Sequence, residues 1–227
     1  MSVTVSNETT ERGATPVTDT AQAPTEPDSK AVELLQRVIF PRPGEPIDVR
    51  SLYQVESDNN TRRAHAPTRT SVLLAAESEV SFETYFNAFA ASYWRRWSVL
   101  KSVVLRVEVR GTCRVDLYRS KVDGSRIGIG GDLVLTDENG YGVLEFELDL
   151  GPFEDGGWIW FDVVADDATA QFTGAEWVTE DEPARAGKAS LGITTYNKPE
   201  YCVETLATLA DSPDVLELVD RIFVVDQ

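Results

Sequence analysis

The chain has 227 residues, 42% hydrophobic and 26% charged, which suits a packed core and excludes a disordered chain, a fibrous repeat or a disulfide mini-protein. Its net charge is −17, with 8 basic and 24 acidic residues in 111–227, so nucleic acid is excluded as a partner and adhesion of this body to anionic lipid is disfavoured. No apolar run approaches the ~20 residues that cross a bilayer, no secretory signal is visible, and the distant Cys113 and Cys202 read as free thiols of a reducing compartment.

Residues 1–28, rich in Thr, Pro, Glu and Ser, hold too little apolar surface to offset ordering and read as a disordered tail. A domain spanning 29–182 follows. It is expected to begin with a short helix capped by Ser29, because Ala31, Leu34, Leu35, Val38 and Ile39 recur at helical spacing. Pro41-Arg42-Pro43-Gly44 stops it.

From about Arg69 the period becomes two, and residues 70–76, 102–110, 112–119, 143–150, 158–164 and 170–178 read as strands. In 102–110, Val103, Leu105, Val107 and Val109 share one face while Arg106 and Glu108 take the other, the pattern of a half-buried antiparallel strand. Gly111-Thr112, Asp123-Gly124 and Glu138-Asn139-Gly140 mark reversals. Short strands at this spacing predict a mainly β fold, an antiparallel β-sandwich of jelly-roll type.

The aromatic run Phe82, Tyr85, Phe86, Phe89, Tyr93, Trp94 and Trp97 also fits one helical face and reads as core rather than a sugar platform. Trp158 and Trp160 alternate with Ile159 and Phe161, as in a strand buried on both faces. Arg62, Arg63, His65 and Arg69 form a basic island that either clasps an acidic surface or a diphosphate, or is a solvated loop.

Residues 183–188 read as a polar linker. Beyond it, residues 189–194 predict a buried strand. A helix then opens at Pro199, with Cys202, Val203, Leu206, Leu209 and Ala210 on one face, and ends at Asp211-Ser212-Pro213. A second strand covers 221–225. Strand, helix and strand over 189–227 make an incomplete α/β βαβ unit with parallel strands and a right-handed crossover. Two parallel strands leave both edges open, so this piece either begins a larger domain or docks on the sandwich or another chain. Ligands of such sheets gather at the carboxyl ends of the strands, here Thr195 to Lys198 and Asp226-Gln227. On spacing alone, Asn197 is equally a helix cap and Asp226 a solvated loop residue. No glycine-rich phosphate loop is present.

Several blocks are distinctive: Ile39-Phe40-Pro41-Arg42-Pro43-Gly44-Glu45-Pro46, Arg62-Arg63-Ala64-His65-Ala66-Pro67-Thr68-Arg69-Thr70, Tyr85-Phe86-Asn87-Ala88-Phe89, Ser92-Tyr93-Trp94-Arg95-Arg96-Trp97 and Pro152-Phe153-Glu154-Asp155-Gly156-Gly157-Trp158. Over residues 34–227 the chain resembles the polymerising galactofuranosyltransferase of mycobacterial galactan synthesis. The resemblance implies an N-terminal β-sandwich followed by the start of a GT-A-type catalytic domain. It implies UDP-galactofuranose as donor, a polyprenol-linked galactan extended through alternating 1,5 and 1,6 linkages as acceptor, and a divalent metal, Mg or Mn, in the complete enzyme. It further implies a homo-oligomer and a cytoplasmic location, peripheral at the inner face of the plasma membrane.

The family's Pro-Thr-Phe-Asn-Arg-Pro stretch matches Thr194-Thr195-Tyr196-Asn197-Lys198-Pro199, which implies nucleotide-binding roles for Thr195, Tyr196 and Lys198. Lys198 stands where the family has arginine, exchanging a planar fork for a point charge. The family's Pro-Asp-Gln matches Val225-Asp226-Gln227, which implies contacts of Asp226 and Gln227 with uracil or ribose. The family's aspartate triplet, base and metal-binding histidine fall beyond Gln227. The chain alone is therefore expected to hold no catalytic residue, to bind no metal and to transfer no sugar; the alternative is a stand-alone carbohydrate-binding or docking β-sandwich module.

Overall fold

A computed structural model describes residues 32–60, 62, 64–153, 157–166, 168–182 and 187–226. The tail read over 1–28, the Ser29 cap, Arg63, Gln227 and linker residues 183–186 lie outside the described residues. In chain order the strands are β1 (Glu33–Arg37), β2 (Val55–Glu56), β3 (His65–Thr68), β4 (Ser71–Leu74), β5 (Glu79–Ser81), β6 (Ser102–Arg110), β7 (Cys113–Ser120), β8 (Arg126–Leu133), β9 (Tyr141–Asp149), β10 (Ile159–Ala165), β11 (Ala170–Thr179), β12 (Ala189–Thr195) and β13 (Val219–Asp226). The helices are α1 (Ile47–Arg50), α2 (Ala91–Trp97), α3 (Pro199–Ala210) and α4 (Pro213–Glu217).

Two antiparallel sheets face each other. One is ordered β3-β4-β11-β6-β9 with β1 also on β11, and the other β2-β5-β10-β7-β8. Alternation sends Val103, Leu105, Val107 and Val109 of β6 inward, where they meet Val115 and Leu117 of β7 and Ile159, Phe161 and Val163 of β10 in one core. The centre is aromatic: Phe82 lies 4.8 Å from both Phe161 and Phe172, and Phe89 lies 4.8 Å from Trp177. The reversals at Gly111, Gly124 and Gly140 all carry positive φ, +82°, +80° and +71°, which only glycine adopts without strain.

The expected leading helix is a strand. β4 pairs with only Ala170, Gln171 and Phe172 of β11, and the exposed backbone groups from Glu176 to Thr179 are met by β1. Closing that sheet edge outweighs a helix exposed to water, and it delivers Val38 and Phe40 to the core. β8 has no counterpart in the sequence reading, because Gly128, Gly130 and Gly131 lower its strand propensity and only pairing with β7 holds it extended. The aromatic run divides. Phe82 and Phe89 are core, Trp94 packs against it, and Tyr85, Tyr93 and Trp97 face solvent, because only residues 91–97 are helical. Of the alternating pair in β10's segment, Trp160 is buried but Trp158 is exposed.

Buried Asn87 ties three segments together. Its Oδ1 accepts from Ile39 N at 2.7 Å, and its Nδ2 donates to Ile39 O at 2.8 Å and Tyr53 O at 2.6 Å. Arg50 and Glu56 form a half-buried ion pair at 2.7 Å, and both also bond the backbone of Ala64. That anchors the stretch carrying Arg62 and His65, which are exposed, as is Arg69.

β12 and β13 form a separate parallel pair joined through α3 and α4. The second strand extends beyond the expected 221–225, and its connection contains the extra helix α4. None of residues 187–226 is buried.

Candidate nucleotide-facing site

The site is built where β12 runs into α3. Parallel pairing sets Thr195 opposite Asp226, so the two residues meet at the carboxyl ends of adjacent strands. The chain then turns through Tyr196, Asn197 and Lys198. Asn197 takes φ +51°, a left-handed conformation that asparagine tolerates, and so cannot cap the helix. The N-cap position falls to Lys198, whose side chain makes no capping bond. Pro199 occupies the first turn, and the Thr195 hydroxyl donates to Lys198 O at 3.3 Å, closing the loop.

Thr195, Tyr196 and Lys198 line a shallow cavity of about 280 Å³ with Ile193, Tyr201 and Cys202. Tyr196 is 75% exposed, and Lys198 Nζ sits 5.7 Å from the Tyr201 ring centre. The arrangement offers a cation, two aromatic rings and a threonine hydroxyl near an uncapped helix N-terminus, groups suited to an anion with a flat ring attached. Asp226 is across from Thr195 but does not line this cavity. Gln227 lies outside the described residues. Tyr201 was not anticipated; its three-residue spacing from Lys198 at the helix start was the available signal.

Among the described residues, no group of three or more His, Cys, Asp or Glu could hold a metal ion. Asp181, in the acidic run before the linker, accepts from Lys101 N at 3.0 Å. Both cysteines are free, and burial pushes the Cys113 thiol up to about 11, so it is no nucleophile. No described helix is long and apolar enough to cross a membrane.

The family model described as Galactofuranosyltransferase 2 N-terminal matches residues 35–180. The chain belongs to this family. The match covers nearly all of the sandwich and stops short of the β12–β13 unit. Among curated proteins, the chain is 56% identical over 200 residues to galactofuranosyltransferase GlfT2 of Mycolicibacterium smegmatis, covering 88% of this chain. It is 53% identical over 197 residues to GlfT2 of Mycobacterium tuberculosis, covering 87%. In both cases it spans only 31% of the relative's length. Among solved structures, the CBM22-1 xylan-binding domain of Paenibacillus barcinonensis Xyn10C overlays 70% of this chain and 99% of its own at 10% identity, with a TM-score of 0.38.

Proposed function

We propose that this chain is the sandwich and first nucleotide-facing portion of a UDP-galactofuranose-dependent galactofuranosyltransferase that extends cell-wall galactan. The observation that carries this is the 56% identity over 200 residues, 88% of the chain. In this reading residues 29–182 are a non-catalytic domain, 183–188 a linker and 189–227 the start of a GT-A-type domain. Thr195, Tyr196 and Lys198 face the uridine diphosphate, and Asp226 and Gln227 face uracil or ribose. The pairing of Thr195 with Asp226 and the clustering of Tyr196 and Lys198 around one cavity support these roles.

Metal, Mg or Mn, belongs to the complete enzyme, with a polyprenol-linked galactan as acceptor. The working form is a homo-oligomer in the cytoplasm, peripheral at the inner face of the plasma membrane. Sugar transfer is not expected of these residues alone.

Calorimetric titration with UDP tests the reading. Binding with a Kd in about the 10 μM to 1 mM range, weakened about tenfold by Lys198→Ala, is the expected result. Absence of UDP binding would overturn the nucleotide-facing reading, and galactofuranose transfer by the purified chain would overturn its lack of catalytic residues.

A further inference from the structure

Strand β10 alternates. Ile159, Phe161 and Val163 enter the core, so Trp160 and Asp162 point from the opposite, outer face of the five-stranded sheet. Outward residues are normally wet, yet Trp160 is 2% and Asp162 0% exposed. They are covered by a short stack. The Tyr118 ring lies 6.1 Å from Trp160 at 21°, and the Arg126 guanidinium lies 4.2 Å over Tyr118.

Beneath that cover, neither Asp162 oxygen nor Trp160 Nε1 has a hydrogen-bond partner. Arg126 stands 3.6 Å from Asp162 Oδ2, beyond the usual length of a charge-assisted bond, and its side chain is 48% exposed. The Ser81 hydroxyl across the strand acts on the carboxylate's charge without reaching ordinary bonding geometry. Burial pushes Asp162 up to about 6, with Glu79 and Glu83 acting in the same direction and Ser81 and Arg126 against it. Asp116 and Arg114 of β7 share the same face.

An acceptor without a donor and a donor without an acceptor, two residues apart on one strand, match a ligand whose groups do both. Hydroxyls do, and side chains two apart on a strand stand about 6.6 Å apart, a span that one sugar ring or two linked sugars cover. On this face Gly128 of β8 puts no side chain beside Tyr118, and at Gly131 the Asp116 carboxylate already fills the place of a Cβ, its Oδ1 2.6 Å away. The face mixes acid and base, which suits an uncharged ligand.

We propose that the outer face of the five-stranded sheet is a carbohydrate-binding surface. Asp162 and Trp160 Nε1 hydrogen-bond sugar hydroxyls, Tyr118 offers its ring to the sugar's apolar side, and Arg126 is the cover that a bound glycan displaces. This surface lies on the sandwich and is independent of the nucleotide reading of residues 195–227.

The test is an NMR titration of the ¹⁵N-labelled chain with a soluble galactofuranose oligosaccharide and, in parallel, a cello-oligosaccharide. The protein has five tryptophans, so its indole N–H signals are few, and Trp160→Phe identifies the relevant one. A saturable shift of that signal with either glycan is expected. Arg126→Ala, a substitution at a half-exposed side chain, should tighten binding at least about threefold, because the competent open state no longer competes with the cover. Tyr118→Ala should abolish the shift. If the Trp160 signal stays fixed to about 10 mM of both glycans, in the native chain and in Arg126→Ala alike, the proposal fails. UDP titration reads residues 195–226 instead, so either reading can fall while the other stands.

Discussion

The sandwich and the β12–β13 unit are both built from alternating and helical apolar patterns, yet one is filled and the other is not. Across β6, β7, β10 and β11 the inward residues are almost wholly removed from water, whereas no described residue of 187–226 is buried. Periodicity therefore specifies which face wants cover and says nothing about whether cover exists. Two opposed sheets cover each other, while two parallel strands with one helical connection leave Ile222, Phe223, Val224 and Val225 partly in water.

The largest expected effect tests that contrast directly. Phe161→Ala, which empties the aromatic centre, should lower unfolding free energy by about 3–5 kcal/mol in urea titrations. Leu206→Ala in α3 should change it by less than about 1 kcal/mol. Equal losses would mean that the terminal unit is packed as tightly as the sandwich. Asn87→Ala comes next at about 2–4 kcal/mol, since it leaves part-buried backbone groups of Ile39 and Tyr53 without their buried partner.

Asp162 sharpens the comparison within the sandwich itself. Its folded pKa, about 6, lies above the ordinary 3.8, so the unfolded chain loses this proton first as pH rises. Stability is therefore lost between about pH 4 and pH 6, and the gap is worth up to about 3 kcal/mol. Relative to Asp162→Asn, the native chain should gain stability as pH falls from 7.5 to 4, read as thermal midpoints across that range. A constant difference would show that Asp162 is hydrated. The smallest effect is expected on the surface. Arg37→Ala breaks a 3.0 Å pair with Glu176 in which Arg37 is 67% exposed, and should cost less than about 0.5 kcal/mol.

Strands β6, β7, β9, β10 and β11 could be read because they are seven or more residues long with apolar residues that alternate, as in β6, or run nearly unbroken, as in β10, with glycine turns between several of them. β2, β3 and β5 are two to four residues long and carry no measurable period. At the candidate nucleotide-facing site, the run from Thr195 to Pro199 was legible as a strand-to-helix junction. The placement of Asp226 opposite Thr195 depended on a register that spacing does not encode. The Asp162 surface was invisible in sequence, where one acid among apolar residues carries no sign of being shielded.

Alternation, turn glycines and the helix-opening proline are local, written into neighbouring residues, and the amino-acid order sufficed for them. Contacts between residues far apart in the chain were beyond it: β1 closing the edge of β11, Asn87 bridging Ile39 and Tyr53, Arg126 shielding Asp162. Each depends on which backbone edge or buried polar atom is left unsatisfied once the sheets have stacked, and that demand exists only in three dimensions.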